Sequence, residues 1–195
     1  YEHRRGLYEE AANARARDLD DVVLAALGVR IEAGARAKGD VLLADPRAVE
    51  LHPHELAEVH AVREKSIEEA QRLWTELGIF RDGTIVGYGG GTTTDLAGFV
   101  AATYMRGVPW IAAPTTLVGQ VDAGIGGKTA VDLREGKNLA GAFHYPEEVV
   151  IDPELIATLP EEERRAGMAE VVKTGLLAGM DVWELPEAEM IRACA

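Results

Sequence analysis

Three consecutive glycines, Gly89, Gly90 and Gly91, run directly into Thr92, Thr93, Thr94 and Asp95. Glycine lets the backbone reach positive φ and lets a ligand come close to the main chain, and the first N–H groups of a helix carry the positive end of its dipole. At a strand-to-helix turn this run is an anion site of the kind that holds phosphate. Asp95 is placed either to cap N–H groups or to accept hydrogen bonds from a ribose. The strict G-x-G-x-x-G spacing is not met, because Thr94 stands where the last glycine would be. A second stretch, Gln120 to Thr129, sets Gly124, Gly126 and Gly127 beside Asp122 and Lys128, and Gly136-Lys137-Asn138 follows as a short loop. Loops so rich in Gly, Lys and Asn order poorly without a ligand, which favours a binding role. Gly127-Lys128-Thr129 is not a Walker loop, since the opening glycine would fall at Asp122. Glu170 and Lys173, three apart, share one helix surface as an ion pair or as part of a site.

The elements that must carry these residues alternate. Tyr1 to Leu27 reads as helical, with Leu7, Ala11 and Ala12 on one face, Leu19, Val22, Val23, Ala26 and Leu27 as a second apolar set, and Gly28 as C-cap. Val29 to Ala33 alternates like a half-buried strand, and Val41 to Ala44 is a buried strand ending at Asp45, a ribose acceptor or an Asp-Pro turn. Ser66 caps a helix running to about Leu77 and closed by Gly78, with Glu68 and Glu69 in its first turn. Thr84 to Tyr88 and Trp110 to Ala113 are short buried strands flanking a buried helix over Leu96 to Tyr104, and Val149 to Ile151 is another strand. Glu161 opens an acidic helix whose apolar face is Met168, Val171, Val172 and Leu176. Strands alternating with helices predict an α/β, doubly wound, mostly parallel sheet followed by the start of an all-helical domain.

The chain has 195 residues and a formal charge of −13, which disfavours nucleic acid and anionic membranes as partners. An anionic substrate must therefore be held by a local cluster of Lys and Arg. A single cysteine, Cys194, excludes a disulfide framework and a cysteine zinc site, which fits a cytoplasmic setting. No apolar run is long enough to span a bilayer. Beginning at Tyr1 and stopping at Ala195 in what reads as mid-helix, the sequence is expected to be a piece of a longer chain.

Taken together, Gly89-Gly90-Gly91 with Asp95, Arg106-Gly107-Val108, Pro114-Thr115-Thr116-Leu117, Gln120-Val121-Asp122, Gly126-Gly127-Lys128-Thr129, Gly136-Lys137-Asn138 and Gly167 to Lys173 resemble the 3-dehydroquinate synthase family. The resemblance covers about residues 31–178. It implies a Rossmann-like NAD-binding domain over 29–159 and the start of a helical metal- and substrate-binding domain over 160–195. It implies NAD contacts from Asp45, Lys65, Gly90, Gly91, Thr92, Thr93, Thr94, Asp95, Thr115, Thr116, Lys128, Lys137 and Thr158. Asp122, Lys128, Arg106, Asn138 and Lys173 would face a seven-carbon sugar phosphate, and Glu170 would be the first of three ligands to Zn2+ or Co2+. The activity implied is conversion of 3-deoxy-D-arabino-heptulosonate 7-phosphate to 3-dehydroquinate and phosphate, and a homodimer is compatible with it.

None of His3, His52, His54, His60 and His144 matches a metal-ligand position of that family, so all five read as surface or loop residues. Val62 stands where the family has a glutamate three before Lys65. Residues 1–28 resemble the end of shikimate kinase through Arg4-Arg5-Gly6-Leu7-Tyr8-Glu9-Glu10-Ala11, which implies a covalent fusion of two enzymes. Alternatives are another sugar phosphate cyclase, a metal-dependent dehydrogenase of the glycerol dehydrogenase type, and an inactive NAD-binding fragment.

Overall fold

A computed structural model describes residues 19–195. The helical face expected around Leu7 and the stretch from Arg4 to Ala11 lie outside the described residues. Helix α1, Leu19–Ala26, closes at Gly28, whose φ of +73° is the left-handed conformation that ends helices and favours glycine. Six parallel strands follow: β1 (Val29–Ile31), β2 (Val41–Ala44), β3 (Val59–Ala61), β4 (Ile85–Gly89), β5 (Trp110–Pro114) and β8 (Glu148–Ile151), in the order β1-β8-β5-β4-β2-β3.

Every residue of β2, β4 and β5 is buried, which is why these strands read as continuous apolar runs rather than alternations. Their side chains divide between two cores. Val41, Leu43, Ile85 and Ala112 pack on one face with Leu73 of α3 (Ile67–Glu76), Leu96 and Val100 of α4 (Gly91–Thr103), and Val171 of α5 (Glu161–Ala178). Leu42, Ala44, Val86 and Ala113 pack on the other with Ala48 of α2 (Pro46–Leu51) and Leu155 of the 3-10 turn Pro153–Thr158. From β2 the chain first moves outward to β3, then returns past β2 to β4 and continues to β5. The crevice between the carboxyl ends of β2 and β4 is therefore the topological switch point, where open α/β sheets bind ligands.

Three readings of the sequence change. Lys128-Thr129 and Gly136-Lys137-Asn138, read as loop, lie in an antiparallel hairpin of β6 (Lys128–Leu133) and β7 (Gly136–Phe143). Buried Thr129 and Val131 alternate with more exposed neighbours, and that period of two anchors β6 against α4. Short β3 and α2 add two elements that the pattern did not announce. On α5 the buried stripe is Gly167, Val171 and Gly175, whereas Val172 and Leu176 are exposed. Small residues are needed there because a Cβ on Gly167 would lie 2.5 Å from Leu117, and one on Gly175 would meet Val182 and Trp183 at 2.9 Å. A 3-10 turn, Val182–Glu184, and α6, Glu187–Cys194, complete the chain, and α6 adds Met190 and Ile191 to the first core.

Candidate active site

At the switch point lies a cleft of about 550 Å³, bordered by Asp45 from β2, Gly90 to Thr93 from the β4–α4 turn, Thr115 and Thr116 after β5, and Thr158. Packing dictates the glycines. Gly89 has φ +158°, and a Cβ there would sit 2.6 Å from Thr93 Oγ1, while one on Gly91 would sit 2.8 Å from Ala123 Cβ. Gly90 stands at the N-cap of α4 and offers no side chain to the first N–H groups. Of the two roles open to Asp95, capping does not occur, because that carboxylate is turned away onto Lys65. An uncapped helix start opening into a cleft leaves N–H groups able to hold an anion. Thr115 donates its N–H to Gly89 O at 2.8 Å, tying β5 to the turn, and Thr116 Oγ1 accepts the Gly119 N–H at 3.2 Å. Thr94 is buried and bonds the Gly91 carbonyl of its own helix.

Asp45 is both the acid at a strand end and a helix cap. Its Oδ1 accepts the N–H groups of Arg47 and Ala48 at 2.8 and 3.3 Å, and its side chain still borders the cleft. His52 also borders the cleft, with Nε2 2.7 Å from Thr158 Oγ1, although it had read as an ordinary loop residue. His54 and His144 lie in connections as expected. Burial, and then the Arg36 charge, holds the His54 pKa below its usual value.

A second cavity of about 670 Å³ lies on the other side of the start of α4, bordered by Asp95, Asp122, Lys128, Asn138, Gly126 and Tyr145. Asp122 comes from a single π-helical turn, Gly119–Ala123, a geometry often found at functional sites. Its Oδ1 accepts from Lys173 Nζ at 3.0 Å, and the same ammonium bonds Glu170. Those two partners, Glu170 first, raise the Lys173 pKa. Lys65 sits between α4 and the hairpin, donating to Asp95 Oδ2 at 2.8 Å and Asn138 Oδ1 at 2.5 Å. Burial raises the Asp95 pKa, and the bond from Lys65 pulls it back part of the way.

The structure thus places Asp122, Lys128, Asn138 and Asp95 along one cavity, with Lys173 and Lys65 bonded to them from behind and Glu170 bonded to Lys173, and it places Gly90, Gly91, Thr92, Thr93, Thr115, Thr116 and Thr158 along the other. Lys137 is exposed on β7 next to Asn138 and borders neither cavity. Arg106 is not brought in: it follows the C-terminal end of α4, and a 13-residue helix, about 20 Å long, separates it from the glycine turn. Among the described residues no group of three His, Cys, Asp or Glu could hold a metal ion, and Glu170 is already held by Lys173. These residues alone do not make a zinc site. No described helix is long and apolar enough to cross a membrane.

The fold is similar to that of a 2-deoxy-scyllo-inosose synthase crystallised with carbaglucose-6-phosphate, NAD+ and Co2+, with a TM-score of 0.70, 26% identity and coverage of 85% of this chain and 56% of that one. It is also similar to ValA, a 2-epi-5-epi-valiolone synthase from Streptomyces hygroscopicus with NAD+ and Zn2+ bound, with a TM-score of 0.65, 28% identity and coverage of 94% and 55%. The class that fold and clefts define is an α/β domain of dinucleotide-binding type. Residues 57–166 match the family model described as 3-dehydroquinate synthase N-terminal, and the chain belongs to that family. Relatives include 3-dehydroquinate synthases of Streptomyces avermitilis, 50% identical over 133 residues, and Corynebacterium glutamicum, 52% identical over 128. Those matches cover 67% and 64% of this chain but only 37% and 35% of the relatives, so the chain spans little more than a third of their length.

Proposed function

We propose that this chain forms the NAD-binding domain and part of the substrate surface of a 3-dehydroquinate synthase, which converts 3-deoxy-D-arabino-heptulosonate 7-phosphate to 3-dehydroquinate and phosphate. The observation that carries this reading is the pair of cavities meeting on the first turn of α4, with Gly91 to Thr93 facing one and Asp95 the other. A cofactor in the first cleft and a phosphorylated substrate in the second would meet at that turn. NAD, when bound, supplies a hydride acceptor that can be restored within one turnover.

In the first cleft the α4 N–H groups and Thr92 receive the pyrophosphate, Asp45 the ribose, and Thr115, Thr116 and Thr158 line the remainder. The cleft fits such a group because a side chain at Gly90 would crowd it: a Cβ there would lie 3.1 Å from Thr116, which also lines the cleft. In the second cavity Lys128 offers its cation to phosphate or carboxylate at short range, a local attraction inside an acidic protein. Lys173 donates to Asp122 at the wall, and the pair orients a substrate hydroxyl, while Asn138 adds an amide. Glu170 is one carboxylate of a metal site that the described residues do not complete, and no step is routed through it. The reading includes a cytoplasmic setting, a domain boundary near residues 159–160, a homodimer, and fusion to a shikimate kinase ahead of residue 29.

The test is phosphate release from the seven-carbon sugar phosphate, with dehydroquinate formation followed in parallel, in the protein that contains these residues. Release with product is expected with NAD present, and Lys128→Ala and Asp122→Asn should abolish it while NAD binding is largely retained. No release, together with NAD reduction by a simple polyol, would overturn the reading in favour of a dehydrogenase.

A further inference from the structure

Asp132 occupies the one position in β6 whose carboxylate reaches both the substrate-side asparagine and the buried lysine. Its Oδ1 accepts the Asn138 N–H at 3.0 Å across the hairpin turn and lies 3.7 Å from Lys65 Nζ. Its own N–H donates to Lys65 O at 2.7 Å, so backbone and side chain both fasten the segment before α3 to the hairpin. Asn138 has φ +59°, a left-handed conformation that a non-glycine residue holds only when its surroundings impose it. The bond to Asp132 imposes it, and it turns the Asn138 amide oxygen onto Lys65 Nζ, 2.5 Å away. Lys65, only 9% exposed in its side chain, is then shared among Asp95, Asn138 and Asp132.

Two of the groups so fixed, Asp95 and Asn138, form one wall of the second cavity. Asp132 itself does not border that cavity. We infer that Asp132 is a positioning residue: its carboxylate holds Asn138 in the left-handed turn and Lys65 against Asp95, and so sets the geometry of the wall that the sugar phosphate meets. This rests on the function proposed above for the cavity, but the geometric part stands without it. A displacement of about 1 Å at such a wall can lower turnover by about 100-fold.

The test uses Asp132→Ala, Asp132→Asn and Asn138→Gly, the last removing the amide while leaving the left-handed backbone accessible. Asp132→Ala should lower kcat/KM for the sugar phosphate by about 10- to 100-fold. Asp132→Asn, which keeps an oxygen for the Asn138 N–H, should recover most of that loss. In the Asn138→Gly background, Asp132→Ala should cost clearly less than it does alone, because the part of its effect that runs through the Asn138 amide is already lost. Losses that multiply, or an Asn variant as damaged as the Ala one at equal thermal stability, would overturn the inference.

A readout independent of turnover is the 1H–15N signal of the Lys65 ammonium, which should be protected in the wild-type protein and exchange-broadened in Asp132→Ala. A signal unchanged in that variant overturns the positioning role whatever the activity. A signal lost as expected in a protein that releases no phosphate overturns the proposed function and leaves the positioning role standing.

Discussion

The glycine-rich turn and the β6–β7 hairpin border cavities of similar size, about 550 and 670 Å³, yet different forces shape them. The turn is shaped by close packing, since Cβ atoms on Gly89 or Gly91 would fall within 2.9 Å of Thr93, Asp45 or Ala123. The hairpin is shaped by an ion and hydrogen-bond network through Lys65, Asp95, Asp132 and Asn138. Packing makes a stiff cradle for a group that must be held the same way each time. A charge network can be tuned, because the position of each member depends on the partners that hold it. Under the function proposed above, that difference would suit a cofactor that stays in place and a substrate that changes shape during reaction.

Leu96 tests what the two regions share. It is fully buried in α4, the helix that carries one cavity at its first turn and has β6 packed along it. Leu96→Ala should destabilise the protein by about 2–5 kcal/mol, read as a lower urea midpoint, and weaken ligand binding in both cavities together. An effect confined to one cavity would show that α4 does not couple them.

Gly141→Ala separates the regions. The added Cβ would lie 2.2 Å from the Thr129 carbonyl and 3.1 Å from Ala130 Cα, so the two strands of the hairpin must part. The expected cost is about 1–3 kcal/mol. KM for the sugar phosphate should rise while the Kd for NAD, followed by fluorescence titration, stays within about twofold of wild type. Equal damage to both would mean that the hairpin also supports the cofactor cleft.

The smallest effect is electrostatic. Burial holds the Asp95 pKa above its unfolded value, so the folded state binds the proton more tightly than the unfolded state does. Its contribution to stability is therefore fully present below the ordinary aspartate pKa of about 4 and is lost as pH rises through the raised value. Urea midpoints measured across that window should fall for the wild-type protein by this component, and the component should vanish in Asp95→Asn. An identical pH profile in the two proteins would show that Lys65 fully offsets the burial of Asp95.

Much of the first region is legible in the sequence because its causes are local. The apolar run of β4, three glycines and a helix start lie within about fifteen consecutive residues, and each step follows from backbone geometry. Ser66 is legible for the same reason: its Oγ accepts the Glu69 N–H three residues on. The hairpin was harder to read. Glycine and lysine at its ends suggested a loop, and the alternation of Thr129 with Val131 was too short to outweigh them. On α5 the visible apolar residues, Val172 and Leu176, pointed to the wrong stripe, because the buried one is made of glycines chosen for closeness rather than hydrophobicity.

By itself the sequence determined the parallel α/β plan, the glycine turn between strand and helix, the cap at Ser66 and the kinds of residue available for chemistry, because hydrophobic period and backbone freedom act over a few neighbouring residues. Only the tertiary structure decided which charges meet. Lys65 finds Asp95 30 residues away and Asn138 73 residues away, and Lys173 reaches Asp122 across 51. It also decided that Arg106 stands apart, since the two ends of a rigid helix cannot share one cavity. Such pairings depend on how helices and strands are stacked, and no short-range pattern encodes that.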